Sequence, residues 1–140
     1  MFKKLIPIMV AVFILPFFIE TSYGYGSGEK LKTFSGILVD TKCYGMNNDN
    51  FTNDHMSPKG NMPGCAAMCA KMGVPVGLLV NGKKGGKVYV LTIPAPALAD
   101  YMGEWVRISG VKTFKRGLIP KKIEVKKGDT YEEVKIETMM

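Results

Sequence analysis

Apolar residues fall into two regimes along the chain. Residues 5–19 form one apolar run containing Pro7 and Pro16, whereas from Phe34 onward apolar positions come in short groups interleaved with polar ones. Alternation at every second position marks a strand with one buried face. Residues 34–39 predict a first strand, and residues 76–81 and 87–93 predict a hairpin joined by Gly82-Lys83-Lys84-Gly85-Gly86. Trp105, Val106, Ile108 and Val111 predict a fourth strand, and Ile119, Ile123 and Val125 a fifth. Residues 131–137 set Tyr, Val and Ile against charges, as a sixth strand or an extension would.

Two segments break this pattern. Residues 64–72 carry good helix formers and are stopped by Gly73 and Pro75, which predicts a short helix. Residues 94–102, with Ala95, Ala97, Leu98 and Ala99, predict a second short helix or helical turn. Residues 43–62 are rich in Asn, Asp, Gly, Ser and Pro, whose side chains favour turns, so they read as a long polar loop. Strand, insertion, hairpin, short helix, strand, strand is the order of a five-stranded oligonucleotide/oligosaccharide-binding (OB) barrel. The expected fold is therefore mainly β: a small five-stranded OB-like barrel over residues 33–140. A short Cys-bearing helix lies in a Cys/His insertion (residues 41–74) after strand 1, and another short helix lies between strands 3 and 4. An open α+β sandwich is the alternative.

The first run changes the picture of where the protein works. Lys3 and Lys4, the fifteen apolar residues after them, and Ser22 and Gly24 beyond have the layout of a secretory signal. Residues 1–24 are read as that signal, with Gly26 as the fallback cleavage position, and residues 25–32 as a flexible linker. A bilayer span needs about 20 apolar residues, so no permanent anchor is expected after cleavage. The protein is accordingly expected to be periplasmic or secreted, and monomeric. The formal charge is +7, or +6 without Lys3, Lys4 and Glu20. Lysines such as those of residues 112–127 alternate with apolar positions, as on the outer face of strands. With export, this argues against nucleic acid as a partner.

Cysteine usage then becomes informative. The chain has three cysteines, Cys43, Cys65 and Cys69, and one histidine, His55. An odd number of thiols outside the cytoplasm calls for intermolecular pairing, a reactive thiol or a metal. Three thiolates and an imidazole have the number and type of ligand that closes a tetrahedral site. Cys65 and Cys69 lie about 40° apart on a helix and face the same way. The other reading is a disulfide: Cys65 and Cys69 would have Cα atoms about 6 Å apart, near the upper limit for a bridge, and Cys43 would reach either more easily. No Cys-x-x-Cys-His occurs, so covalent haem is not expected.

Methionine adds a hint about metal type. Met46, Met56, Met62, Met68 and Met72 are five of the ten methionines. Met68 and Met72 share the helix face of Cys65 and Cys69, which makes them candidate secondary sulfur ligands. Thioethers suit Cu(I), whereas a closed Cys3His set suits Zn(II). The plainer expectation is that these methionines fill the gap between helix and barrel.

The run Ser35-Gly-Ile-Leu-Val-Asp40-Thr-Lys-Cys43, then His55, Cys65-Ala-Ala-Met-Cys69 and Gly73, resembles a D-x-x-C…H…C-x3-C pattern of small exported bacterial proteins whose activity is not assigned. The resemblance extends through Val88-Tyr-Val-Leu91 and Gly103-Glu-Trp-Val-Arg-Ile-Ser-Gly110. It implies a small β-barrel on which Cys43, His55, Cys65 and Cys69 form a shared site.

Three functions compete. The first is metal binding at Cys43, His55, Cys65 and Cys69, with a Zn or Cu ion, either structural or for metal handling. The second is thiol–disulfide chemistry, with Cys65 as the attacking thiol at a helix N-terminus and one free Cys. The third is recognition of an envelope oligosaccharide or protein by the barrel face, with Trp105, Tyr89 and Tyr101 as platforms. No catalytic residue is assigned, because one His without an accompanying carboxylate pair does not make a catalytic constellation.

Overall fold

The computed structural model describes residues 30–113 and 115–136. The expected signal (residues 1–24) and most of the expected linker lie outside the described residues, as does the end of the sixth expected strand. The fold is mainly β. Strand β1 (Lys32–Asp40) is followed by helix α1 (Thr41–Met46), the short strands β2 (His55–Ser57) and β3 (Gly60–Met62), and helix α2 (Cys65–Lys71). The chain continues through β4 (Val76–Val80), β5 (Val88–Leu91), a 3-10 helix (Ala95–Tyr101), β6 (Trp105–Lys112), β7 (Gly117–Lys127) and β8 (Thr130–Glu133).

Six strands form one sheet in the order β5-β4-β1-β6-β7-β8, with an additional parallel pairing of β5 to β7 through Val90 and Leu91. The other pairings are antiparallel. β2 and β3 form a separate hairpin. Leu38, Leu78, Val106, Ile108, Leu118, Ile123 and Val125 are buried together with Leu98 of the 3-10 helix, so one face of each strand meets a common core. A smaller cluster, Val39, Tyr44 and Leu79, lies between the sheet and α1. β1 is therefore covered on both faces toward its end, where Leu38, Val39 and Asp40 are all buried.

Backbones approach closely at two points. A Cβ at Gly36 would strike the Leu79 carbonyl, and one at Gly110 would strike that of Ile119. Gly110 sits at a register shift opposite Pro120. Such a bulge is where a strand tolerates a proline that brings no N–H to the ladder.

The expected strands are all present; β8 is the sixth, a separate strand paired with β7 that ends at Glu133. The loop expectation for residues 43–62 is corrected: α1 and the β2–β3 hairpin occupy much of it. Asp40 caps α1, and the turn at Pro58-Lys59 is held by Ser57 Oγ, which accepts from Lys59 N at 3.2 Å and donates to Gly60 O at 3.0 Å. The second predicted helix is a 3-10 helix, entered through Pro94 and Pro96. Among the described residues, no helix is long and apolar enough to cross a membrane.

The outer strands are tied by charge. Glu124 of β7 accepts from Arg107 Nε at 2.9 Å and from Lys122 Nζ at 3.0 Å, and the Arg107 guanidinium lies 4.1 Å from the Tyr131 ring centre. These cations pull the Glu124 carboxyl from the ordinary 4.5 down to about 2. A lowered carboxyl stabilises the fold above its unfolded value and loses that contribution as pH falls through the folded one. Glu124→Gln is expected to have a lower denaturation midpoint than the parent at pH 7. The gap should close between pH 4.5 and about 2; a gap independent of pH would refute the pairing.

Candidate metal centre

The insertion between β1 and β4 is fastened to the sheet by polar groups. Asp40 ends β1 with an extended backbone and caps α1, its Oδ1 accepting from Lys42 N at 2.8 Å and Cys43 N at 3.3 Å. A carboxylate there satisfies N–H groups that the first helical turn leaves open. Thr41 donates through both N (3.2 Å) and Oγ1 (2.7 Å) to the Pro75 carbonyl, which joins the start of α1 to the segment after α2. These bonds bring Cys43 against α2.

Helix α2 is capped from a distance. Ala66 N donates to Asn53 O (3.0 Å), Ala67 N to Asn53 Oδ1 (3.0 Å) and Gly64 N to Asp54 Oδ1 (2.7 Å). Because Asn53 and Asp54 immediately precede His55, the same bonds that cap α2 bring His55 to Cys65. Asn50 fixes the next residue, its Oδ1 accepting from Met56 N at 3.2 Å. The helix buries Ala66 and Ala70 against the core that includes Leu98 and Ala99, which leaves Cys65 and Cys69 at the boundary.

Two groups of ligand atoms result. Cys43, His55 and Cys65 have theirs all within 4.8 Å of one another, and so do Asp40, Cys43 and Cys69. Cys43 belongs to both. The four residues expected to share one point are thus arranged as two triads: Cys65 and Cys69 stand one helical turn apart, about 6 Å along the axis, one in each. All three cysteines are free thiols.

His55 is the least ordinary member. It is 2% exposed, yet neither Nδ1 nor Nε2 has a hydrogen-bond partner. A buried polar atom left unpaired costs about 1–3 kcal/mol, and a neutral imidazole has one donor and one acceptor to satisfy. An ion between His55 and the two thiols would take up the acceptor nitrogen. Asp40 Oδ2 is likewise buried without a partner. Asp40 opens the D-x-x-C pattern but was given no place in the site by the sequence. Its place at the end of an apolar run, three residues before Cys43, was the available signal, since that is where an N-cap belongs.

The Cys43–His55–Cys65 triad opens into a cavity of about 330 Å3, also lined by Met46, Asn50, Met56 and Met62. Met68 and Met72 do not line it. They are 63% and 71% exposed, so the expectation that they fill a gap in the core is corrected: small Ala66 and Ala70 make that contact and turn the longer side chains outward. Tyr89, offered as a barrel-face platform, is buried beside Phe34, with Lys87 and Lys112 over its ring.

Burial, and then the adjacent Asp40 carboxylate, push the Cys43 thiol up to about 11 and the Cys69 thiol up to about 12. Both are thiols rather than thiolates at neutral pH when no cation is present. Asp40→Asn keeps the cap and removes the charge. In metal-free protein at pH 8 it is expected to speed alkylation of Cys43 and Cys69, read residue by residue by mass spectrometry; unchanged rates would show that the carboxylate does not act on the thiols.

No known family matches the chain, and neither a curated protein nor a solved structure matches it.

Proposed function

We propose that this chain is an exported metal-binding protein. It holds a Zn or Cu ion through Cys43, His55 and Cys65, while Cys69, the remaining residue of the expected Cys3His set, belongs with Asp40 to the neighbouring triad. The observation that carries the reading is the buried, partnerless imidazole of His55 beside two thiols. Hydrophobic burial alone gives no reason to keep a histidine there, whereas a ligand must be held there. The scaffold is an OB-like barrel; in support, β5, β4, β1, β6 and β7 each pair with two others of these five strands, through the parallel β5–β7 pairing, while β8 extends the sheet beyond β7. Structural sites are closed by protein ligands, whereas working sites keep an open position. The cavity beside the triad therefore favours an ion with an exchangeable position over a purely structural one. The reading places the protein in the periplasm or outside the cell, where its partner is the ion itself or an envelope protein that exchanges it.

Thiol–disulfide exchange is the second reading, supported by Cys43 lying within 4.8 Å of both other thiols. The raised Cys43 and Cys69 thiols weigh against it, because the thiolate is the attacking form. The N–H groups at the start of α2 are also already taken by Asn53 and Asp54.

Elemental analysis of reduced protein purified without chelator is expected to give about one transition-metal ion per chain, since the two triads share Cys43, and Cys43→Ser is expected to lose it. A metal-free parent that stays metal-free after incubation with Zn(II) and Cu(I) overturns the reading. His55→Phe should remove binding and raise the stability of the metal-free fold by about 1–3 kcal/mol, as measured by denaturant titration. For export, the intact mass of protein recovered from the producing cell is expected to begin at Tyr25; recovery of the uncleaved chain in the cytoplasm would count against it.

A further inference from the structure

The cavity beside the triad has a mouth of unusual chemistry. Met46 is 79% exposed and Met62 is 47% exposed. Burying a methionine side chain is favourable by about 1.5–3 kcal/mol, so leaving these two and Met56, which also lines the cavity and is 63% exposed, at one opening forgoes that gain; Met56 follows His55 on β2, so strand alternation turns it to the other face. The placement of Met46 and Met62 is not haphazard. Met46 follows Cys43 by three residues on α1, which puts the two on one side of that helix. Met62 pairs directly across the hairpin with His55, and cross-strand partners share a face. Each methionine thus stands on the same side of its element as a triad ligand, and both line the cavity into which the triad opens.

Resting on the metal-binding reading above, we infer that the ion is Cu(I) and that Met46 and Met62 are its thioether ligands at the cavity mouth. Thioether sulfur is a soft donor that selects Cu(I), while Zn(II) is served by thiolate, imidazole and carboxylate. Thiolate and thioether sulfur both suit Cu(I), so the triad thiols and the methionines at the mouth can share it, and no closed Cys3His tetrahedron is needed. The mouth therefore collects the ion and the Cys43–His55–Cys65 triad retains it. Loading is ligand exchange alone: the copper arrives as Cu(I) and stays so, its bonds to the ligands it arrives with break as Cys43 and Cys65 form Cu–S bonds, and the displaced ligands and the two thiol protons leave to solvent. Met68 and Met72, exposed and outside the cavity, take no part and serve as internal controls.

The test uses reduced, oxygen-free protein with methyl-13C methionine, titrated with Cu(I) acetonitrile complex, with silver nitrate as a second soft monovalent probe, and with zinc chloride. One equivalent of either soft ion is expected to shift the methyl resonances of Met46 and Met62 and leave those of Met68 and Met72 in place. Met46→Leu/Met62→Leu is expected to lower Cu(I) affinity, measured against a coloured competing chelator, by at least about tenfold, with Zn(II) affinity unchanged. Met68→Leu/Met72→Leu should change neither. Unmoved Met46 and Met62 methyls, or equal losses for Cu(I) and Zn(II) in the double variant, overturn the inference while leaving a metal site intact. If no ion binds the parent at all, the broader reading fails with it.

Discussion

The insertion that carries the cysteines contributes little apolar surface to the fold, so it is shaped by polar side chains bonded to backbone. Asp40 holds the start of α1, Asn53 and Asp54 hold the start of α2, and Asn50 holds the strand that presents His55. Each of these bonds satisfies an N–H that a short helix or irregular turn would otherwise leave open. The candidate site is a by-product of that fastening. Residues that cap helices sit immediately beside residues that carry donor atoms, and bringing the caps home brings the donors together. Tyr44 is the main apolar anchor, packing on Val39 and Leu79 while its hydroxyl accepts from Gly85 N at 3.0 Å.

Much of the sheet was legible in the sequence because its signal is local. The apolar run of residues 37–39, the alternation in residues 105–111 and the glycine-rich turn between Val80 and Val88 follow from strand patterning and turn chemistry that need no knowledge of the rest of the chain. The insertion was legible only in part. Six-residue α1 is too short to show periodicity, and its capping Asp40 looks in sequence like one more acid before a polar stretch. The β2–β3 hairpin is only three residues on each side and buries little besides His55. Met68 and Met72 were misplaced because helical phase says which residues share a face and not which face docks. The alanines decide that, since close approach to the 3-10 helix favours the smallest side chains.

Cys43, His55, Cys65 and Cys69 lie in one neighbourhood through Cys43, but their division into two triads was not foreseeable from spacing. It depends on where Cys43 falls relative to the two turns of α2. That division also gives Asp40 two tasks: its Oδ1 holds a helix, while the buried carboxylate keeps the nearby thiols protonated. Protonated thiols in a shielded place resist oxidation and alkylation. A cation entering the site reverses this balance, because it replaces the thiol protons and gives the carboxylate an opposite charge to face.

The bonds from Thr41 to the Pro75 carbonyl have a further meaning. They fasten the first residue of the insertion to the residue just after its last, beside the Asp40–Val76 rung where β1 and β4 begin to pair. To the sheet, some thirty intervening residues are no more than a tight connection between two neighbouring strands, since their two ends already meet. Length and composition within that closed neck are thus decoupled from strand register, and the whole ligand-bearing segment behaves as a cassette, open to exchange or redesign while the framework below keeps its pairing.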